Sequence, residues 1–177
     1  KQDSATGSYP IPNGRPLTCI RNLGTDLYVF TDIKAYRLRS AGDGILGQLE
    51  EIPEDIGTQS HTAAYEKNNV LIVQTNEVGW HGVRFLEGSE WSEDIADNRH
   101  KTTIETISDY TQVFTSVFKD QILIGCRTSG TYNNLTLAYK KINNYYSYYK
   151  YSVNMGPAVG FADGVYFGSL APVTTTR

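Results

Sequence analysis

Asn69-Val70-Leu71-Ile72-Val73 opens on a turn residue and runs at once into four aliphatic side chains, three of them β-branched. The same grammar recurs in Asp26-Leu27-Tyr28-Val29-Phe30, Asp120-Gln121-Ile122-Leu123-Ile124 and Asp163-Gly164-Val165-Tyr166-Phe167. Branched and aromatic side chains pack well on a pleated surface, while Asp, Asn and Gly mark turns, so each stretch reads as a turn feeding a short strand. The first strand residues, Leu27, Val70, Ile122 and Val165, are spaced by 43, 52 and 43 residues. A strand unit recurring about every 40 to 50 residues is the period of β-propeller blades. The pattern predicts an all-β fold of antiparallel meanders, the blade-like repeats of a partial or small β-propeller.

The 177 residues are 40% hydrophobic and 20% charged, a globular balance that can bury a core. Thirteen tyrosines against one methionine agree with a strand-rich chain. A net charge of -3 with interspersed signs leaves no basic stripe for phosphates, which argues against sequence-specific DNA binding. No apolar run approaches the length of a transmembrane helix, and the first residues lack the pattern of a signal peptide. A start at Lys1 without an initiator Met suggests a processed or cut chain. Cys19 and Cys126 are 107 residues apart, outside any metal-ligand spacing and within apolar strand contexts, so both are expected to be free buried thiols, which mildly favours a reducing compartment.

Along the chain, residues 1–16 alternate Pro and Gly with polar residues and read as an extended lead-in. Residues 17–170 read as one β-repeat domain and 171–177 as a C-terminal tail. A strand over Leu17–Arg21 should turn into Leu27–Thr31, which pairs with Ala35–Arg39; a glycine-rich loop follows over Ser40–Gly47. Asn76-Glu77 is expected to be the two-residue turn between Val70–Thr75 and Val78–Leu86. Between 92 and 108 the spacing of Ile95, Ala96, Ile104 and Ile107 fits a short helical insertion, which also explains the longer 52-residue interval. Asn143-Asn144 is the last tight turn, leading into Tyr145-Tyr146-Ser147-Tyr148-Tyr149-Lys150-Tyr151.

Candidate chemistry is sparse. His61, His81 and His100 lack ligand spacing, and His81 beside Trp80 is expected to play a hydrogen-bonded structural role. The acids Glu50, Glu51, Glu54 and Asp55, and the second group Glu90, Glu93, Asp94 and Asp97, read as solvated loops and helix starts before they read as a glycosidase pair. Nucleophile-elbow, phosphate-loop and calcium-loop motifs are absent, and Asn134-Leu135-Thr136 matches a glycosylation sequon by chance. No catalytic residue, metal site or cofactor is expected. The candidate interface or ligand-contact aromatics are Trp80, Trp91, Tyr146 and Tyr148. A strand packed on both sides accounts for the tyrosines without a ligand, so core or subunit interface ranks above a carbohydrate platform.

The order of segments resembles the propeller-bearing tail hub or nozzle proteins of short-tailed bacteriophages. The likeness runs through Gly14-Arg15-Pro16-Leu17-Thr18-Cys19-Ile20, Asp26 to Leu38, Ile56 to Ala64, Val70 to Trp80, Leu135 to Tyr139 and the tyrosine strand, within Arg15 to Leu170. It is a likeness of strand order, with no diagnostic motif. The resemblance implies a structural virion protein without catalytic residues: a homo-oligomer assembled in the host cytoplasm, forming a ring around the DNA channel and joining other tail proteins. DNA would pass only as non-specific cargo. The chain is shorter than the larger propellers, as a partial or cut chain would be. Two other all-β readings stand beside it. One is a carbohydrate-binding or glycan-processing β-propeller with a glycan receptor as partner; the other is a jelly roll or sandwich, which predicts two facing sheets.

Overall fold

The computed structural model describes residues 10–40, 46–96, 98–142, 145–151, 158–161 and 164–168. The chain is all-β, with antiparallel sheets and a single short helix among the described residues. The first meander comprises β1 (Cys19–Leu23), β2 (Asp26–Phe30), β3 (Ala35–Ser40) and β4 (Leu46–Glu51), paired in sequence order. Then come β5 (Ile56–Gly57) and the second meander, β6 (Ala64–Lys67), β7 (Val70–Glu77), β8 (Trp80–Glu87) and β9 (Glu90–Trp91), with β5 paired to the far end of β7. After the helix α1 (Asn98–Ile104) come β10 (Asp109–Phe118), β11 (Gln121–Arg127), β12 (Leu135–Ile142) and β13 (Tyr145–Tyr151), again in order. A two-stranded ladder of β14 (Ala158–Phe161) and β15 (Gly164–Phe167) closes the description.

The four stretches that carry the repeat in sequence are β2, β7, β11 and β15, each the second strand of its unit. The turns that feed β2, β7 and β11 use left-handed backbone: Gly24 at φ 61°, Asn68 and Asn69 at 53° and 62°, and Lys119 at 53°. Asn and Gly take this conformation at low steric cost, which is why turn residues announce these strands.

First strands lie side by side, β1 against β6, β6 against β10 and β10 against β14. A parallel bridge joins Thr62 to Phe114, so the lead segments of the second and third meanders run in the same direction. Consecutive meanders with neighbouring first strands are a blade-like arrangement, unlike the two facing sheets of a jelly roll or sandwich.

Two apolar seams hold the meanders together. At the first, Cys19, Leu23, Tyr28, Phe30, Ala35 and Ile52 meet Ala64, Leu71, Val73 and Leu86. At the second, Ile72 and Val83 meet Val113, Val117, Ile122, Ile124, Cys126, Leu137 and Tyr139, together with Ala96, Ile104 and Ile107 around the helix. Strand alternation explains the division, since Leu71 and Val73 face one seam while Ile72 faces the other. Polar ties cross the same boundaries. Arg21 Nε and Nη2 donate to the carbonyls of Ala64 and His61, both at 2.7 Å. The Thr115 amide and hydroxyl donate to the carbonyls of Thr62 and Ala63, at 2.8 and 2.6 Å.

Several boundaries differ from the sequence reading. The β7–β8 turn is Val78-Gly79, two residues beyond Asn76-Glu77, which stay in the ladder opposite His81 and Trp80. Gly79, at φ 85°, supplies the left-handed residue that Asn76-Glu77 does not provide, and the two-residue shift preserves which side chains face which seam. Strand β1 starts at Cys19, two residues later than expected. The lead-in from Pro10 is outside any ladder but anchored: Gly14 N donates to the Ile11 carbonyl, and Arg15 pairs with Asp32 at 2.5 Å. The helical insertion falls within 92–108 as expected. Residues 1–9, 41–45 of the glycine-rich loop, Asn143-Asn144 and 169–177 lie outside the described residues, although β12 and β13 pair up to Ile142 opposite Tyr145, as a two-residue connection requires.

Candidate functional site

The second seam is filled at one end and open at the other. At the filled end, the His81 ring stacks on Tyr110 with centroids 3.5 Å apart and planes within 5°. Ala96, Ile104 and Ile107 from the insertion pack into the same seam. At the open end lies a cleft of about 520 Å3, within the range of small-ligand sites. Its floor is Val70, Ile72 and Phe85 from the second meander and Val117 and Ile122 from the third.

Tyr28 is the third residue of β2 and is almost fully buried, with its hydroxyl donating to the Gly88 carbonyl at 2.8 Å. By hairpin register, with Leu23 opposite Asp26 and Lys67 opposite Val70, Ile72 on β7 stands where Tyr28 stands on β2 and faces the second seam.

Turn and strand-end residues place charge at the lip. Lys67 donates to the Lys119 carbonyl, and Asp120 pairs with Lys140 at 3.1 Å, which holds its carboxyl below the usual range. Glu87 and Glu90, opposite one another across β8 and β9, have no ion pair among the described residues. The rim therefore carries both signs, Glu87, Glu90 and Asp120 with Lys67 and Lys141, above an apolar floor.

The aromatics expected at an interface or ligand site are not gathered in this cleft. Trp80, at the start of β8, lies between the Arg84 guanidinium at 5.2 Å and the Lys101 ammonium at 4.9 Å, a pair of cation–π contacts far from the open end. The Trp91 ring packs on Phe30, with centroids 6.5 Å apart, on the first-seam side of its sheet. Its residue also borders the cleft, and its Nε1 is buried without a hydrogen-bond partner among the described residues. Tyr146 and Tyr148 stand on β13 opposite Lys141 and Tyr139; their side chains lie outside the described residues.

Other titratable groups are mostly structural. Lys34 bridges Glu51 and Asp55 at 2.7 and 2.9 Å, and Arg39 pairs with Glu50 at 3.0 Å, in keeping with the solvated loops expected there. Asp94 departs from that expectation: its carboxylate accepts from the amides of Val83 at 2.8 Å and Ala96 at 3.0 Å, and burial raises its pKa. His81 also differs, since its Nε2 has no hydrogen-bond partner among the described residues and stacking holds the ring; burial lowers its pKa. The His100 side chain lies outside the described residues. Tyr110 donates to the Ile104 carbonyl at 2.6 Å, and burial pushes its pKa to about 12. Cys19 and Cys126 are free and buried, with the Cys126 thiol pushed up to about 12 by desolvation, so it is a poor nucleophile at neutral pH. Asn134 turns its side chain inward, its Oδ1 accepting from the Thr128 amide at 2.8 Å.

Among the described residues, no three His, Cys, Asp or Glu side chains converge as a metal site would require. Sequence reading missed the cleft because its lining is drawn from two meanders distant in the chain. No protein-family model matches this chain, and no curated protein matches it.

Proposed function

We propose that the protein is a structural virion component of the phage tail hub or nozzle type, assembling into a ring around the DNA channel and joining tail parts. The observation that carries this reading is the succession of meanders with adjacent first strands, fastened through two apolar seams. Such an array is rigid across its seams and presents turns at both ends of its strands for neighbours. Exposed apolar side chains support the reading further. Leu17 and Ile20, at the first meander, are each 46% exposed, and Tyr166, on the last ladder, is 60% exposed. Apolar surface left at the ends of a repeat array is what further subunits or partners would cover. The net charge of -3 suits a channel that lets DNA pass without gripping it. Partners are then other copies of the chain and other tail proteins, in a virion assembled in the host cytoplasm. Light scattering after size exclusion, with negative-stain imaging, tests the reading. A discrete ring-like oligomer is expected, whereas a monomer at all concentrations that binds or cleaves glycans would overturn it.

A further inference from the structure

We propose that Asn13 is a site of spontaneous modification, deamidating through a cyclic imide formed with Gly14 and thereby unfastening the lead-in from the β2–β3 connection. The inference is independent of the assembly reading, because it concerns the chemistry of one exposed turn.

Asn13-Gly14 is the only place in the 177 residues where glycine follows asparagine. In the turn that holds the pair, Gly14 N donates to the Ile11 carbonyl at 2.9 Å and Gly14 takes a φ of 64°. A Cβ added to Gly14 would meet nothing within 4 Å, and both residues are exposed to the water that the reaction consumes. The Asn13 side chain folds back on its own backbone, with Oδ1 accepting from the Arg15 amide at 3.1 Å. This bond holds the carboxamide beside the Gly14 peptide and donates to the oxygen on which negative charge develops when Cγ is attacked. Other asparagines differ. Asn69 precedes Val70 and Asn134 precedes Leu135, whose side chains hinder approach to the following amide, and the Thr128 amide and hydroxyl hold Asn134 Oδ1 at 2.8 and 3.2 Å.

Attack requires Gly14 N–H to release the Ile11 carbonyl, a single bond at an exposed turn that water replaces at small cost. Hydroxide then removes the amide proton, Gly14 N bonds to Asn13 Cγ, and the Cγ–Nδ2 bond breaks, with Nδ2 taking a proton from water and leaving as ammonia. Water opens the imide at either carbonyl, giving aspartate or isoaspartate; one water is consumed, one ammonia leaves and nothing is oxidised or reduced. The change matters because Asn13 is a tie. Its Nδ2 donates to Thr31 Oγ1 at 3.4 Å, beside the Arg15–Asp32 pair, so the two residues fix the lead-in to the end of β2. Thr31 Oγ1 already donates to the Lys34 carbonyl at 3.3 Å, so the carboxylate product faces an oxygen whose hydrogen is committed. Isoaspartate also lengthens the main chain by one methylene and takes the Ile11–Gly14 turn apart.

The test incubates the full chain in mildly alkaline and mildly acidic buffer, beside a capped peptide spanning Ile11 to Leu17, and follows every asparagine by peptide mapping with mass spectrometry. Residue 13 is expected to convert at least ten-fold faster than any other asparagine, faster in the alkaline buffer, and within about ten-fold of the rate of the free peptide. Gly14→Ala, which places a methyl group beside the attacking nitrogen, is expected to slow conversion at least ten-fold, and Asn13→Gln, whose imide would be six-membered, to stay intact; circular dichroism confirms that both are folded. After conversion, the amides of Gly14 and Arg15 are expected to exchange with solvent at least ten-fold faster while those of β2 and β3 keep their protection. First conversion at another asparagine, an intact Asn13 once the peptide has converted, or an undiminished rate in Gly14→Ala would each overturn the proposal. Unchanged exchange at Gly14 after conversion would overturn the unfastening.

Discussion

Arg21→Ala tests whether the meanders are fastened by side-chain bonds to backbone across the first seam. Arg21, on β1, donates from Nε to the Ala64 carbonyl and from Nη2 to the His61 carbonyl, each at 2.7 Å. A hydrogen bond from a charged donor contributes about 1.5–3 kcal/mol. The Nε bond is partly shielded and counts near the lower part of that range. The Nη2 bond is open to water, which replaces it at small cost, so it adds less than about 1 kcal/mol. The expected loss is about 2–3 kcal/mol, a large share of the 5–15 kcal/mol typical of a folded domain. In urea, with a slope of about 2–3 kcal/mol/M, the midpoint should fall by roughly 1 M. Arg39→Ala is the comparator, because among the described residues Arg39 makes only an exposed ion pair, with Glu50, and should cost less than about 1 kcal/mol. Arg21→Lys keeps the charge but offers a single donor point, so it should fall between. A change below about 0.5 kcal/mol for Arg21→Ala, or one no larger than that of Arg39→Ala, would refute the reasoning.

Two further outcomes follow from packing and from titration. Gly57→Ala places a Cβ 2.3 Å from the Thr31 carbonyl oxygen and 2.4 Å from the Ile33 amide nitrogen, both backbone atoms that cannot swing away. A loss of about 3 kcal/mol, seen as a melting temperature lower by roughly 6–12 °C, is expected, and a drop under about 2 °C would count against the close approach of β5 to the β2–β3 connection. His81 has a folded pKa depressed below its ordinary 6.5 by burial, which outweighs the opposing pull of Glu77. Below pH 6.5 the unfolded chain therefore binds the proton first, so this group's contribution is present above pH 6.5 and lost as pH falls from there toward the folded pKa. Histidine NMR titration should show the depressed value, and His81→Gln should flatten that part of the stability–pH curve; an unshifted His81 would contradict the stacked, dehydrated ring.

The strands were legible where local chemistry governs them. Turn residues followed by Val70-Leu71-Ile72-Val73 and its counterparts announced the second strand of every unit, since left-handed turns and branched side chains leave marks in sequence. The β7–β8 turn was misplaced by two residues because Asn76-Glu77 has turn character, whereas Gly79 has the backbone freedom that decided it. Ties such as Arg21 to Ala64 and His61 left no trace, because their acceptors are carbonyls that every residue possesses. Trp91, a candidate interface or ligand-contact aromatic in the sequence, packs on Phe30 and also borders the cleft. The cleft left no mark because its walls, Val70, Ile72 and Phe85 on one side and Val117 and Ile122 on the other, come from different meanders.

The three meanders end in outer strands of unequal length. The middle one ends in β9, only two residues long, which offers almost no free ladder to an incoming chain. By contrast β13 runs seven residues, pairs only with β12 among the described residues, and carries Lys150 as its sole charge. Unpaired backbone along a tyrosine-rich margin is a template for strand addition, and a single lysine is a thin guard against it. Crowding or heat is therefore expected to drive strand-added or swapped species at this border before any other.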